Sequence, residues 1–231
     1  MSSSGPRRVG IITGSGPEAG LDLWQKVLEE NRLAHGLDFR GDIDAPDVTV
    51  LSIPELGYSM DLPETTSRVW TALADACERI APQVDVFAIA CNTLYAFEED
   101  VLALELSATL VSPVDSVAAA AKERGLSSIA LLGAGPVTNF DSGTSPYARL
   151  SSELEVELPA DRQALHELIE QVKLAGGSTP EIEERFATVT NELSGGVAAL
   201  ACTELPLIDA SPSGVELLDV TRLLARDLLK S

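Results

Sequence analysis

The segment VDVFAIACNT, residues 84–93, decides how the chain is read. VDVFAIA (84–90) is a nearly unbroken apolar run that ends at once in Cys91, Asn92 and Thr93. A strand without apolar–polar alternation is covered on both faces, the condition of a parallel sheet between helices. Its carboxyl end is where open α/β sheets receive their ligands, and there this run sets a thiol, a carboxamide and a hydroxyl side by side.

The neighbouring segments repeat the pattern. VGIIT (9–13), DVTVLSI (47–53), SSIALLGAG (127–135) and VAALA (197–201) read as strands. Between them, GLDLWQKVLEENRLA, TSRVWTALADACERIA (66–81), PVDSVAAAAKERG (113–125), DRQALHELIEQVKLAGG (161–177) and TPEIEERFATVTNELSGG (179–196) carry helical spacing. Gly125 is placed as a C-terminal cap, Thr179 as an N-cap, and Pro180 at a first helical position. VELLDVTRLLARDLLK (215–230) reads as a closing helix and MSSSGPRR as a loose N-terminal tail. Strands alternating with helices predict an α/β fold with mainly parallel sheets.

The 231 residues, 45% of them hydrophobic, can fill one large core or two small ones. No apolar run approaches the roughly 18 residues of a membrane span, and the expected compartment is cytoplasmic. Sixteen basic against 36 acidic residues give a net charge of −20, which repels nucleic acid. An anionic substrate would need local positive potential from helix N-termini or a lysine. The three cysteines, Cys77, Cys91 and Cys202, make no disulfide framework and no CxxC. With only His35 and His166, both read as surface residues, no zinc site is expected. GSGPEA (14–19) matches a dinucleotide fingerprint, but no second strand ends in an acidic residue about 20 positions on. It reads instead as a tight turn with Pro17 opening a helix.

A second segment answers the first. ALACTELPLI (199–208) parallels AIACNTLYAF (88–97), and Cys202 lies 111 positions after Cys91. A lone cysteine at a strand end is ordinarily packing. Two in matching strand-to-loop positions, each with a hydroxyl close by, form a candidate pair facing a shared cleft. Such a pair suits removal of a proton from one face of a carbon and its return to the other. A free thiol ionises near pH ~8.5, and a helix N-terminus or a positive neighbour lowers that value. Asn92, Thr93 and Thr203, with nearby backbone N–H groups, can hold a carboxylate and stabilise an enolate-like transition state. Cys77, among alanines in mid-helix, reads as core.

With VGIITGSGPEAG, ACNT at 90–93 and ACTELPLI at 201–208, nearly the whole chain resembles the cofactor-independent aspartate/glutamate racemase superfamily. The resemblance implies two similar flavodoxin-like α/β lobes with the active site in the cleft between them. The lobes would span 1–110 and 111–214, with a helix over 215–231 packing back on the first. It implies an amino-acid racemase, most like those for aspartate or glutamate, that uses no PLP and no metal and works as a homodimer. Cys91 and Cys202 would be the acid/base pair. Asn92, Thr93 and Thr203 would bind the α-carboxylate, Ser15 would line the cleft, a threonine of GAGPVTNFDSGTSPY (133–147), Thr138 ahead of Thr144, would contact the substrate, and Lys173 would help to hold the substrate.

The sequence also departs from that family. TGSGP stands for a GGMGP-like loop, and SIPELGYSMD lacks the arginine that grips a side-chain carboxylate. Leu94 and Tyr95 replace a small residue and a histidine, and Leu224 stands where a histidine often follows. These departures leave open a hydantoin racemase, a maleate isomerase, an arylmalonate decarboxylase or a small-acid-binding protein of the same superfamily.

Overall fold

Apolar strands covered on both faces set the architecture. The structure, a computed structural model, describes residues 7–62, 64–194, 196–210 and 214–230. Most of the expected N-terminal tail lies outside these residues. Arg8, the last residue of that expected tail, opens the first strand and pairs with Asp85 at 2.6 Å.

The chain forms two compact units. The first runs through Ala90, resumes over Phe97–Ser112 and takes in the chain from Thr221. Its parallel sheet contains β1 (Arg8–Thr13), β2 (Asp47–Ser52), β3 (Val86–Ile89) and β4 (Thr109–Leu110) in the order β2-β1-β3-β4. The second unit holds Cys91–Ala96 and Pro113–Val220. Its sheet contains β5 (Ser128–Leu132), β6 (Glu155–Glu157), β7 (Gly196–Leu200) and β8 (Val215–Asp219), and the order β6-β5-β7-β8 repeats the first.

The helices are α1 (Pro17–His35), α2 (Thr66–Ile80), α3 (Glu98–Leu102), α4 (Pro113–Glu123), α5 (Gly135–Thr138), α6 (Arg162–Ala175), α7 (Pro180–Asn191) and α8 (Val220–Leu228). Their ends follow local chemistry. Asp161 caps α6 by accepting from the Ala164 N–H at 2.8 Å, and Thr179 caps α7 by accepting from the Ile182 N–H at 3.3 Å. Gly125, at φ +64°, makes the left-handed turn after α4. In α2 the buried residues Val69, Leu73, Ala76, Cys77 and Ile80 recur at helical spacing, and Cys77 is core as expected. Burial, and after it Glu78, pushes the Cys77 thiol up to about 12, which leaves it inert.

One expectation is corrected. The closing helix does not begin at 215, because Val215–Asp219 pairs with β7 as a strand and the helix starts at Val220. Leucines at helical spacing continue through the strand, so the sequence carries no mark of the change. From Thr221 the helix belongs to the first unit. There Leu224, Ala225 and Leu228 join Val9, Ile11, Leu23, Val27, Val86 and Ala88 in one core. Leu224 is thus an apolar core residue, 2% exposed.

The loop after β1 is held by close backbone approach. Gly14 has φ +128°, and a Cβ there would stand 2.0 Å from the carbonyl oxygen of Ile53. Gly16 precedes α1 and Pro17 opens it. The second unit has the same glycine spacing, Gly133-Ala134-Gly135-Pro136, where β5 leads into α5, but neither of its glycines has a positive φ.

The core role of α8 is testable. Leu228 is fully buried. Leu228→Ala should lower unfolding free energy by about 2–5 kcal/mol in urea melts, the range for a leucine cavity in a packed core. A change indistinguishable from zero would remove α8 from the core.

Candidate active site

The two cysteines occupy equivalent places in the two sheets. Ahead of Cys91, the Ala90 N–H bonds the carbonyl of Ile12 on β1 at 2.8 Å. Ahead of Cys202, the Ala201 N–H bonds the carbonyl of Leu132 on β5 at 2.7 Å. Past each ladder the chain tightens into a 3₁₀ turn. The Leu94 N–H returns to the Cys91 carbonyl at 3.2 Å, and the Leu205 N–H to that of Cys202 at 3.1 Å. Each thiol therefore belongs to the first residue beyond a ladder, and each cysteine is 6% exposed.

The second unit gathers most of the expected residues. It contains Cys91, Asn92, Thr93, Thr138, Lys173, Cys202 and Thr203. Asn92, Thr93 and Thr203 are buried at 4%, 3% and 3%. Lys173, on the last turn of α6, is not a solvated surface charge. Its Nζ lies 3.3 Å from Glu204 Oε1, an ion pair in which the side chains are 18% and 4% exposed. Burial is the largest single influence on this lysine and works against its charge. Glu204, Cys91 and Cys202 together outweigh it, so the lysine's pKa is raised. Both thiols are therefore felt by the same ammonium.

Glu204 was not anticipated from the sequence. It is 3% exposed, and its Oε2 accepts from Cys202 Sγ at 3.0 Å and from Thr203 Oγ1 at 3.3 Å. Burial first, and Glu204 second, push the Cys202 thiol well above its ordinary value, while Lys173 acts in the opposite direction. Tyr147 was not anticipated either. Fully buried, it donates from its hydroxyl to Asn92 Oδ1 at 2.6 Å. With Oδ1 so engaged, the Asn92 amide is fixed with its NH₂ on the other side.

In the loop after β5, Thr138 is 1% exposed and Thr144 is exposed. The Thr138 hydroxyl donates back to Ala134 O at 3.3 Å within its short helix, and its carbonyl accepts from Arg162 at 3.1 Å. Ser15 lies in the first unit, 1% exposed, with its hydroxyl 2.8 Å from that of Ser59. Ser59 belongs to SIPELGYSMD, the segment that lacks the family's arginine. Leu94 and Tyr95 are buried at 1% and 2%. His35 is exposed as expected, but His166 is half-buried and its Nδ1 accepts from the Gly135 N–H at 3.0 Å. Among the described residues no group of His, Cys, Asp and Glu could hold a metal ion, and no helix is long and apolar enough to cross a membrane.

Two parallel sheets of matching strand order, each ending a central strand in a buried cysteine, define a class of duplicated α/β proteins. The sequence matches the Asp/Glu/Hydantoin racemase family over residues 12–228, and the chain belongs to that family, whose members are isomerases. Solved structures agree on the fold. An aspartate racemase from Picrophilus torridus is similar with a TM-score of 0.78 and 22% identity, over 96% of this chain and 92% of that one. An aspartate racemase homologue from Pyrococcus horikoshii is similar with a TM-score of 0.72 and 25% identity, over 96% and 97%. A glutamate racemase from Bacillus anthracis is similar with a TM-score of 0.66 and 14% identity, over 96% and 80%. Among curated proteins no relative is found by sequence.

The Tyr147–Asn92 bond predicts a stability effect. Tyr147→Phe leaves the buried Asn92 Oδ1 without its donor and should cost about 1–3 kcal/mol. Urea unfolding measures this as a lower midpoint at constant slope. An unchanged midpoint would mean that the bond does not hold Asn92.

Proposed function

We propose that the protein is a PLP-independent amino-acid racemase acting on aspartate or glutamate, with Cys91 and Cys202 as its two acid/base groups. The observation that carries this reading is the repeated placement of the cysteines: two buried thiols stand just beyond equivalent strand ends, and Lys173 shares the Glu204 carboxylate with Cys202. In a chain of net charge −20, Lys173 supplies the local positive potential that an anionic substrate requires.

In the forward step the thiolate of one cysteine takes the α-proton, so the Cα–H bond breaks and an S–H bond forms. The electron pair moves into the α-carboxylate as an enediolate. The thiol of the other cysteine then delivers its proton to the opposite face and is left as a thiolate. Donors from Asn92, Thr93 and Thr203 hold the α-carboxylate as negative charge builds there. Lys173 stabilises the same charge, and Thr138 contributes to the substrate pocket. Two-base proton transfer asks nothing of a cofactor. Family resemblance also supports a homodimer, which sedimentation would test.

The experiment is exchange in D₂O. L-aspartate, D-aspartate, L-glutamate and D-glutamate are each incubated with the protein and followed by NMR for loss of the α-proton and by chiral chromatography for the other enantiomer. At least one pair should exchange and racemise. Cys91→Ser and Cys202→Ser should each lower racemisation by about 100-fold or more, the scale of a lost acid/base group. Absence of exchange with all four would overturn the reading. Full turnover in Cys202→Ser would replace it with a reaction that needs one cysteine.

A further inference from the structure

The two copies of the cysteine segment differ at a position that touches the chemistry. Aligned on their cysteines, Cys91-Asn92-Thr93-Leu94 stands against Cys202-Thr203-Glu204-Leu205. The turns are the same, since each cysteine carbonyl accepts from the leucine N–H. Two residues after the cysteine, however, one copy carries threonine and the other a carboxylate. That carboxylate turns inward to meet Cys202 Sγ at 3.0 Å and Lys173 Nζ at 3.3 Å, and it is almost wholly buried.

We propose that Glu204 is a positioning residue that makes the two thiols unlike: it receives the S–H of Cys202 and anchors Lys173, so that the resting enzyme carries Cys202 as thiol. This rests on the two-base reading above. The charged and titratable groups facing Cys202 are Glu204 on its own loop and Lys173 from α6. When the Cys202 proton passes to carbon, the new thiolate faces the Glu204 carboxylate, and only Lys173 offsets the repulsion. That form lies above the form with Cys202 protonated, which the enzyme regains when the thiolate takes a proton from the next substrate or from water.

The asymmetry has a kinetic signature. The equilibrium constant of a racemisation is one, so kcat/KM is the same in both directions. An enzyme that rests in one protonation form therefore shows unequal kcat and KM for the two enantiomers, changed in proportion.

The test reads the pair without turnover. The full-length protein is labelled with ¹³Cβ-cysteine, and the three resonances are assigned with Cys91→Ser and Cys202→Ser and followed against pH. In Glu204→Gln the Cys202 resonance should titrate at lower pH than in wild type. Its thiolate fraction at a fixed pH below both midpoints should rise about tenfold or more, the effect of losing a like charge in contact. In Lys173→Met it should titrate at higher pH. This second variant keeps the test decisive should Glu204→Gln fail to fold. With L- and D-aspartate and L- and D-glutamate, Glu204→Gln should bring the kcat values of the enantiomers closer together. A Cys202 midpoint unmoved in the foldable variants overturns the proposal, even if the protein racemises. Absence of α-proton exchange with a shifting midpoint overturns the racemase reading and leaves the Glu204–Cys202 pair standing.

Discussion

Strands β3 and β7 are covered on both faces, so their backbone groups have no water to fall back on and must be paired up to the last residue. Each ladder ends in the same way. The final alanine donates to the neighbouring central strand, and the next carbonyl, that of the cysteine, accepts from a leucine three positions on. Satisfying the backbone in this manner leaves little freedom in where the cysteine stands. The same constraint brings Asn92 and Thr203 into buried positions, where their polar atoms need partners. Asn92 finds Tyr147, and Thr203 finds Glu204. The polar cluster is thus a consequence of how two apolar strands stop.

Once buried, the charges in this cluster have to be balanced locally. Taking Lys173 out of water is the largest influence on it, yet the three groups around it carry or can carry negative charge, and they win. For Cys202 the signs run differently. Burial and Glu204 both oppose its thiolate, and Lys173 alone favours it. One set of contacts therefore keeps a lysine charged beside a thiol that stays neutral. A charge buried in contact with an opposite one is costly to strip of its partner, so Lys173 and Glu204 hold each other in place.

Much of this was legible in the sequence, because long apolar strands and capped amphipathic helices announce themselves. β4, β6 and β8 did not. The first two are only Thr109–Leu110 and Glu155–Glu157, too short for any pattern to build. β8 lies in VELLD, whose leucines continue into α8 at helical spacing, and pairing with β7 overrides that local preference. The cysteine pair was readable because it is a repeat. Glu204 stood in plain view in ACTELP, but an acidic residue in a loop of so acidic a chain gives no sign of turning inward. Tyr147 lies 55 positions from Asn92, and only the folded second unit joins them.

A duplicated fold offers two-base chemistry equivalent positions for its acid and its base, but equivalence alone is not enough. Two thiols in identical surroundings would share one proton without preference, and an acid and a base are told apart when their environments pull their proton affinities in different directions. One substitution that breaks the repeat lies next to Cys202: Thr93 stands against Glu204 in the alignment of the two cysteine turns. The backbone bonds that seat the thiols are the same in both copies, so the scaffold positions and the side chains differentiate. A substrate carboxylate approaching Lys173 would meet an ammonium already held by Glu204. The geometry of that lysine is therefore set before the ligand arrives, and binding need not spend its energy on ordering a long side chain.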